Sequence, residues 1–180
     1  MKKITKVLGV IAILAMLVIG GVAVPAGAQQ DPAVSIDAPA EVDAGSDFSA
    51  YVDITDVVNL NAGQFDIDFD ESILWLDDVT DGLIGTTVIP VSDWAEVGSY
   101  RIIVHLPGVN TATGSGYLAE LHFHVIGSSC EASDIDLANG FLNDDEADEI
   151  VATWTGDSVH VAGVGAVAVS IDAPAEVDED

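Results

Sequence analysis

Three groups of residues have the types and spacing that chemistry would need. His122 and His124 stand two apart, with Glu120 two positions before them, and on an extended strand that spacing puts all three side chains on one face. Two imidazoles with a carboxylate as third ligand can hold a metal ion. No fourth ligand or orienting partner can be named, so a polar, partner-facing strand is the favoured use. His105, between Val104 and Leu106, reads either as a neighbour of this pair or as a part-buried histidine. The stretch Asn143 to Glu149 packs five carboxylates and an asparagine into seven residues, and Asp144, Asp145 and Asp148 are its candidates for a structural calcium ion. It lacks the spacing and central glycine of an EF-hand, which favours an acidic, solvated loop. Asp77, Asp78 and Asp81 form a sparser cluster.

The remaining chemistry is sparse. Paired carboxylates for glycoside hydrolysis carry no information in a chain of 31 acids, where pairs always occur. There is no G-x-S-x-G and no glycine-rich phosphate loop ahead of a helix, and Cys130 lies in a Gly-Ser-rich turn without a nucleophile signature. A non-catalytic protein is expected. Of the three tryptophans, Trp75 and Trp154 lie within strand patterns and are expected to pack in the core or at an edge. Trp94 follows a turn-like stretch and is the candidate for stacking on a sugar ring.

Lys2, Lys3 and Lys6 precede an apolar run from Val7 to Val24, followed by Pro25 and the small residues Ala26 and Ala28. This is the pattern of an export signal cut after Ala28, with an uncleaved N-terminal anchor as the alternative. Beyond it Arg101 is the only Lys or Arg, set against all 31 acids. Such a surface excludes nucleic acid as a partner and is repelled by anionic membranes, so no membrane contact beyond an anchor is expected. The acids are interleaved with Val, Ile, Leu and aromatics, which argues for a folded, secreted or surface-displayed domain. One cysteine excludes an internal disulfide, so a hydrophobic core must supply the stability.

The elements that position these residues read as strands. Alternation is clear in Phe48 to Ile54, in Phe65, Ile67 and Phe69, and in Leu121, Phe123 and Val125. Turn residues separate the runs at Asp43 to Gly45, Asp81 and Gly82, Pro107 and Gly108, Gly114 to Gly116, and Asn139 and Gly140. Eight or nine short strands predict an all-β, closed antiparallel sandwich. With Phe65, Ile67 and Phe69 inward, Gln64, Asp66 and Asp68 share an outer face. The strand from Tyr100 to Leu106 is apolar on both faces apart from Arg101 and His105, which makes it a candidate contact surface. The segment AVSIDAPAEVD occurs at Ala33 to Asp43 and again, identically, at Ala168 to Asp178. That offset is a whole-domain period, so the expected organisation is a signal or anchor over 1–28, one module over 31–162, and a Gly-rich linker with the start of a truncated second copy over 163–180.

In order, SIDAPAEVDAG, FDIDFDESILWL, RIIV, GSGYLAELHFHVIG and EIVATWTGDSVHV resemble the cohesin module from about Val34 to Val161. The resemblance implies a nine-stranded jelly-roll β-sandwich related in fold to carbohydrate-binding modules. It also implies docking of dockerins, small calcium-loaded helical modules, in tandem scaffolds of polysaccharide-degrading assemblies such as cellulosomes. In the family the dockerin lies on a four-stranded sheet that includes the third, fifth and sixth strands. Aligned to this chain, that surface would present Gln64, Asp66, Asp68, Val104, Leu106, Glu120, His122 and His124. The family's usual Asn and Asp near the start of the third strand fall at Ala62 and Gln64, and Ala62 has no amide to offer. A carbohydrate-binding module, with Trp94 as its contact, and a purely structural repeat of a surface protein are the alternative readings.

Overall fold

The computed structural model describes residues 31–96 and 99–163; the expected leader and the second copy of the repeat lie outside the described residues. Eleven strands follow in order: β1 (Ala33–Asp37), β2 (Glu41–Val42), β3 (Asp47–Phe69), β4 (Leu74–Ile84), β5 (Thr87–Ile89), β6 (Val91–Glu96), β7 (Ser99–His105), β8 (Ala112–Val125), β9 (Ala132–Asp144), β10 (Thr153–Thr155) and β11 (Asp157–Val161). No helix occurs among the described residues. The all-β sandwich expected from alternation is present, with the jelly-roll form that the resemblance implied. The strand count is higher because short edge segments flank the long central strands.

β3, 23 residues long, organises the molecule by belonging to both layers. Its first half pairs with β1 and β8, and its second half with β7 and β9. Extending outward, one layer runs β10-β1-β3-β8-β4-β5 and the other β6-β7-β3-β9-β11-β2. The bend falls at register shifts around Val57, where Asp56 and Asn59 adopt left-handed backbone angles of 53° and 56°. Asp and Asn accept that conformation more readily than most residues. The amides freed there are not orphaned: Asp56 N–H donates to Ser115 Oγ at 3.0 Å and Asn59 N–H to Thr113 Oγ1 at 3.0 Å. A single strand thereby crosses between layers while both of these amides stay paired.

The core fills the space between the layers with Phe65, Phe123, Ile54, Leu60, Ile67 and Leu121, all essentially inaccessible. Phe69 packs edge-on against Phe123 at 5.1 Å, and Phe48 stacks on the same ring at 5.3 Å, which ties both halves of β3 to β8. The first copy of the repeat closes the sandwich. Val34 and Ile36 in β1 and Val42 in β2 enter the core, and the two strands pair in parallel with β10 and β11.

Candidate functional site

The outer face of the β6-β7-β3-β9 layer is laid out in rows by the strand register. One row reads Ser92, Ile103, Gln64 and Phe141; the next reads Trp94, Arg101, Asp66 and Ala138; His105, Ala62 and Asn143 form a third. Ile103 is half-buried, while Trp94 and Phe141 are each 43% exposed. The result is a broad sheet surface with apolar side chains on three strands.

Asp66 sits at its centre and is buried, although its neighbours in β3 place it on the outer face. Arg101 in β7 covers it with a two-pronged ion pair, Nε to Oδ1 at 2.7 Å and Nη2 to Oδ2 at 2.9 Å. Asn139 Nδ2 donates to Oδ2 at 2.7 Å from the other side. This third contact depends on a bulge in β9, where the register shifts opposite Phe65 and Asn139 takes a left-handed φ of 50°. Gly140 follows because any side chain there would enter the ring of Trp154, which packs on Phe65 from within. The guanidinium holds the Asp66 carboxyl below its ordinary range; Asn139 adds to this and burial opposes it. Asp68, two residues on, is displaced the opposite way, by burial first and then by the charges of Asp66 and Asp136.

The structure divides the residues that sequence alignment had grouped on one surface. Gln64, Asp66 and Asp68 do share an outer face. Val104 and Leu106 are corrections: both are buried in the core, and Arg101, Ile103 and His105 point outward instead. A run that is apolar at nearly every position gives no phase. The phase is set by Arg101 standing opposite Asp66. Glu120, His122 and His124 are a second correction, since β8 pairs with β4 and the first half of β3 and presents them on the outer face of the other layer. There His124 Nδ1 meets Asp47 Oδ1 at 2.6 Å. His122 lies between Ser49 Oγ at 3.1 Å and Thr80 Oγ1 at 3.4 Å, and Tyr51 O–H donates to Glu120 Oε1 at 3.2 Å.

His105 belongs to the opposite layer from His122 and His124, so the three imidazoles do not converge. Among the described residues no three His, Cys, Asp or Glu side chains stand where they would hold a metal ion. Asp144 Oδ1 instead accepts the backbone N–H groups of Glu146 and Asp148, folding the acidic stretch into a tight turn. Trp94 is exposed as expected and Trp154 is half-buried, but Trp75, expected to pack, is 54% exposed. Phe141 and Ile103 were missed as surface residues. Asn139-Gly140 reads as a turn, and the apolar pair that resumes after it was the sign that the strand continues.

A jelly-roll sandwich with one broad, partly apolar sheet face and a locked ion pair is the architecture of an interaction module. The family model for the cohesin domain matches residues 32–161, and the chain belongs to that family. Membership makes it a non-catalytic, protein-binding module. A search of the curated proteins finds no match. Solved structures with the same fold include a non-cellulosomal cohesin from the archaeon Archaeoglobus fulgidus (TM-score 0.65, 15% identity, covering 74% of this chain and 93% of that one). A cohesin module from a family 33 glycoside hydrolase of Clostridium perfringens gives 0.64 at 18% identity over 73% and 97%. The cohesin of a type I cohesin–dockerin complex from Clostridium thermocellum gives 0.63 at 14% identity over 73% and 94%.

Proposed function

We propose that the outer face of the β6-β7-β3-β9 layer is the docking surface for a dockerin-type, calcium-loaded helical module on another exported protein. The observation that carries this reading is the row of Ile103, Gln64 and Phe141, apolar at two of its positions and flanked by Trp94. It lies on rigid strands around an Asp66–Arg101–Asn139 cluster that needs no rearrangement to be covered. The complex solved for the Clostridium thermocellum cohesin supports a dockerin as the class of partner. The N-terminal leader pattern supports a secreted or cell-surface setting, and the repeated segment supports a place in a tandem, polysaccharide-degrading scaffold. Arg101 is the only Lys or Arg among the described residues, so a partner with basic groups would meet an almost wholly acidic surface.

The test is calorimetric titration of the chain with a panel of dockerin modules, with and without a calcium chelator. At least one is expected to bind in a calcium-dependent way, and Ile103→Asp is expected to weaken that binding at least about a hundredfold while the melting temperature holds. Undiminished binding by Ile103→Asp would move the interface elsewhere, and no calcium-dependent partner would sink the dockerin reading.

A further inference from the structure

The β4-β8-β3 face on the opposite layer carries its own arrangement, independent of the docking surface. Strand register places Trp75, His124 and Asp47 side by side across three strands, with His122 and Ser49 in the following row and Tyr51 in the row beyond. Trp75 is the most exposed of the three tryptophans. A shallow depression of about 500 Å³ lies on this face, lined by Asp47, Phe48, Ser49, Asp77, His122 and Phe123. We infer that this face binds a neutral glycan chain, with Trp75 as the stacking ring and the His124 imidazole and the neighbouring carboxylates as partners for sugar hydroxyls.

The ligand class follows from what the face offers. The only Lys or Arg among the described residues, Arg101, lies on the other layer, and the two histidines here stand among Asp47, Asp77, Asp78 and Glu120, so the face disfavours a phosphate, sulfate or uronate. Among the described residues no three metal-ligating side chains converge, which argues against a cation as the occupant. The ligand must therefore be uncharged, present an apolar face to an indole and carry hydroxyl groups around its rim, which describes a pyranose ring. Asp47 holds His124 Nδ1 at 2.6 Å, which fixes the ring at the register position opposite Trp75. The imidazole is therefore oriented before any ligand arrives. By strand spacing and rise, Trp75 and Tyr51 lie about 16 Å apart on a diagonal, and Tyr51 is pinned by Glu120 and by an edge contact with Tyr117 at 5.2 Å. A flat, open surface of that extent suits internal units of a chain rather than a terminal sugar.

The experiment is affinity electrophoresis of the full chain through gels containing hydroxyethylcellulose, xylan or glucomannan, with polygalacturonate as the anionic control. At least one neutral polysaccharide should retard the protein and polygalacturonate should not. Trp75→Ala should raise the dissociation constant at least about tenfold, His124→Ala should weaken binding without touching the core, and Trp94→Ala, on the opposite layer, should leave retardation by the polysaccharide unchanged. Absence of retardation by every neutral polymer, retention of binding in Trp75→Ala or His124→Ala, or its loss in Trp94→Ala would each overturn the assignment.

Discussion

The two outer faces of the sandwich are built on the same strand and end up chemically different. On the β4-β8-β3 face the polar side chains pair with one another across strands in partly open positions, as His124 does with Asp47 and Tyr51 with Glu120. On the β6-β7-β3-β9 face one ion pair is drawn down between the strands and covered, and the surface around it mixes the apolar Trp94, Ile103 and Phe141 with Gln64 and Asp68. The first arrangement leaves hydrogen-bonding groups near water. The second turns its central ion pair inward and sets the apolar Trp94, Ile103 and Phe141 around it. A sheet whose outward polar groups are already satisfied among themselves can be covered by a partner with little desolvation cost.

Substitutions can break this contrast, and the largest effect should come from the residues that appeared to belong to a face and do not. Val104→Asp or Leu106→Asp buries a charge among core side chains and should cost about 3–5 kcal/mol or prevent folding, read by urea denaturation. Ile103→Asp, the adjacent residue in the same strand, should leave the melt near wild type. If the two strand faces respond alike, the assigned phase of β7 is wrong.

Arg101→Ala comes next, because it leaves Asp66 buried without its cation. It should destabilise by about 3 kcal/mol, and the additional change Asp66→Asn should recover part of the loss. The pH dependence sharpens this. A carboxyl held below its unfolded range contributes stability above that range, and the contribution disappears as pH falls through the lowered folded value. Stability of the wild type should therefore drop with acidification below the ordinary Asp range, and the Arg101→Ala variant should show less of that drop. Asp68 works in the opposite sense. Its raised folded value favours the folded state at low pH and loses that advantage as pH rises, so Asp68→Asn should slightly stabilise the protein at neutral pH.

The smallest effect is expected from Asp47→Asn on the other face. The Asp47 side chain is 80% exposed, and although the contact to His124 is short, an open pair of this kind contributes no more than about 0.5 kcal/mol. A loss approaching that of Arg101→Ala would erase the distinction between the faces.

Much of the architecture was legible before any coordinates. Alternation around Phe65, Ile67 and Phe69 correctly set Gln64, Asp66 and Asp68 on one outer face, since a period of two is a local property of an extended chain. The order of motifs was enough to indicate a cohesin-type sandwich over nearly the range that the family model matches. The candidate site was only partly legible. Tyr100 to Leu106 carries too few polar residues to show its phase, and the bulge at Asn139 that completes the Asp66 cluster reads as a turn.

Residue order alone determined the strands, the faces within clearly alternating strands, and an acidic chain with Arg101 as its one Lys or Arg after residue 28. Tertiary structure decided which strands are neighbours. It separated Glu120, His122 and His124 from Gln64 by sending the two halves of β3 into different layers, and it turned Val104 inward and Ile103 outward by pairing Arg101 with Asp66. The reason is physical: side-chain alternation follows from the geometry of a single chain, whereas strand adjacency and register are settled by contacts between residues far apart in sequence.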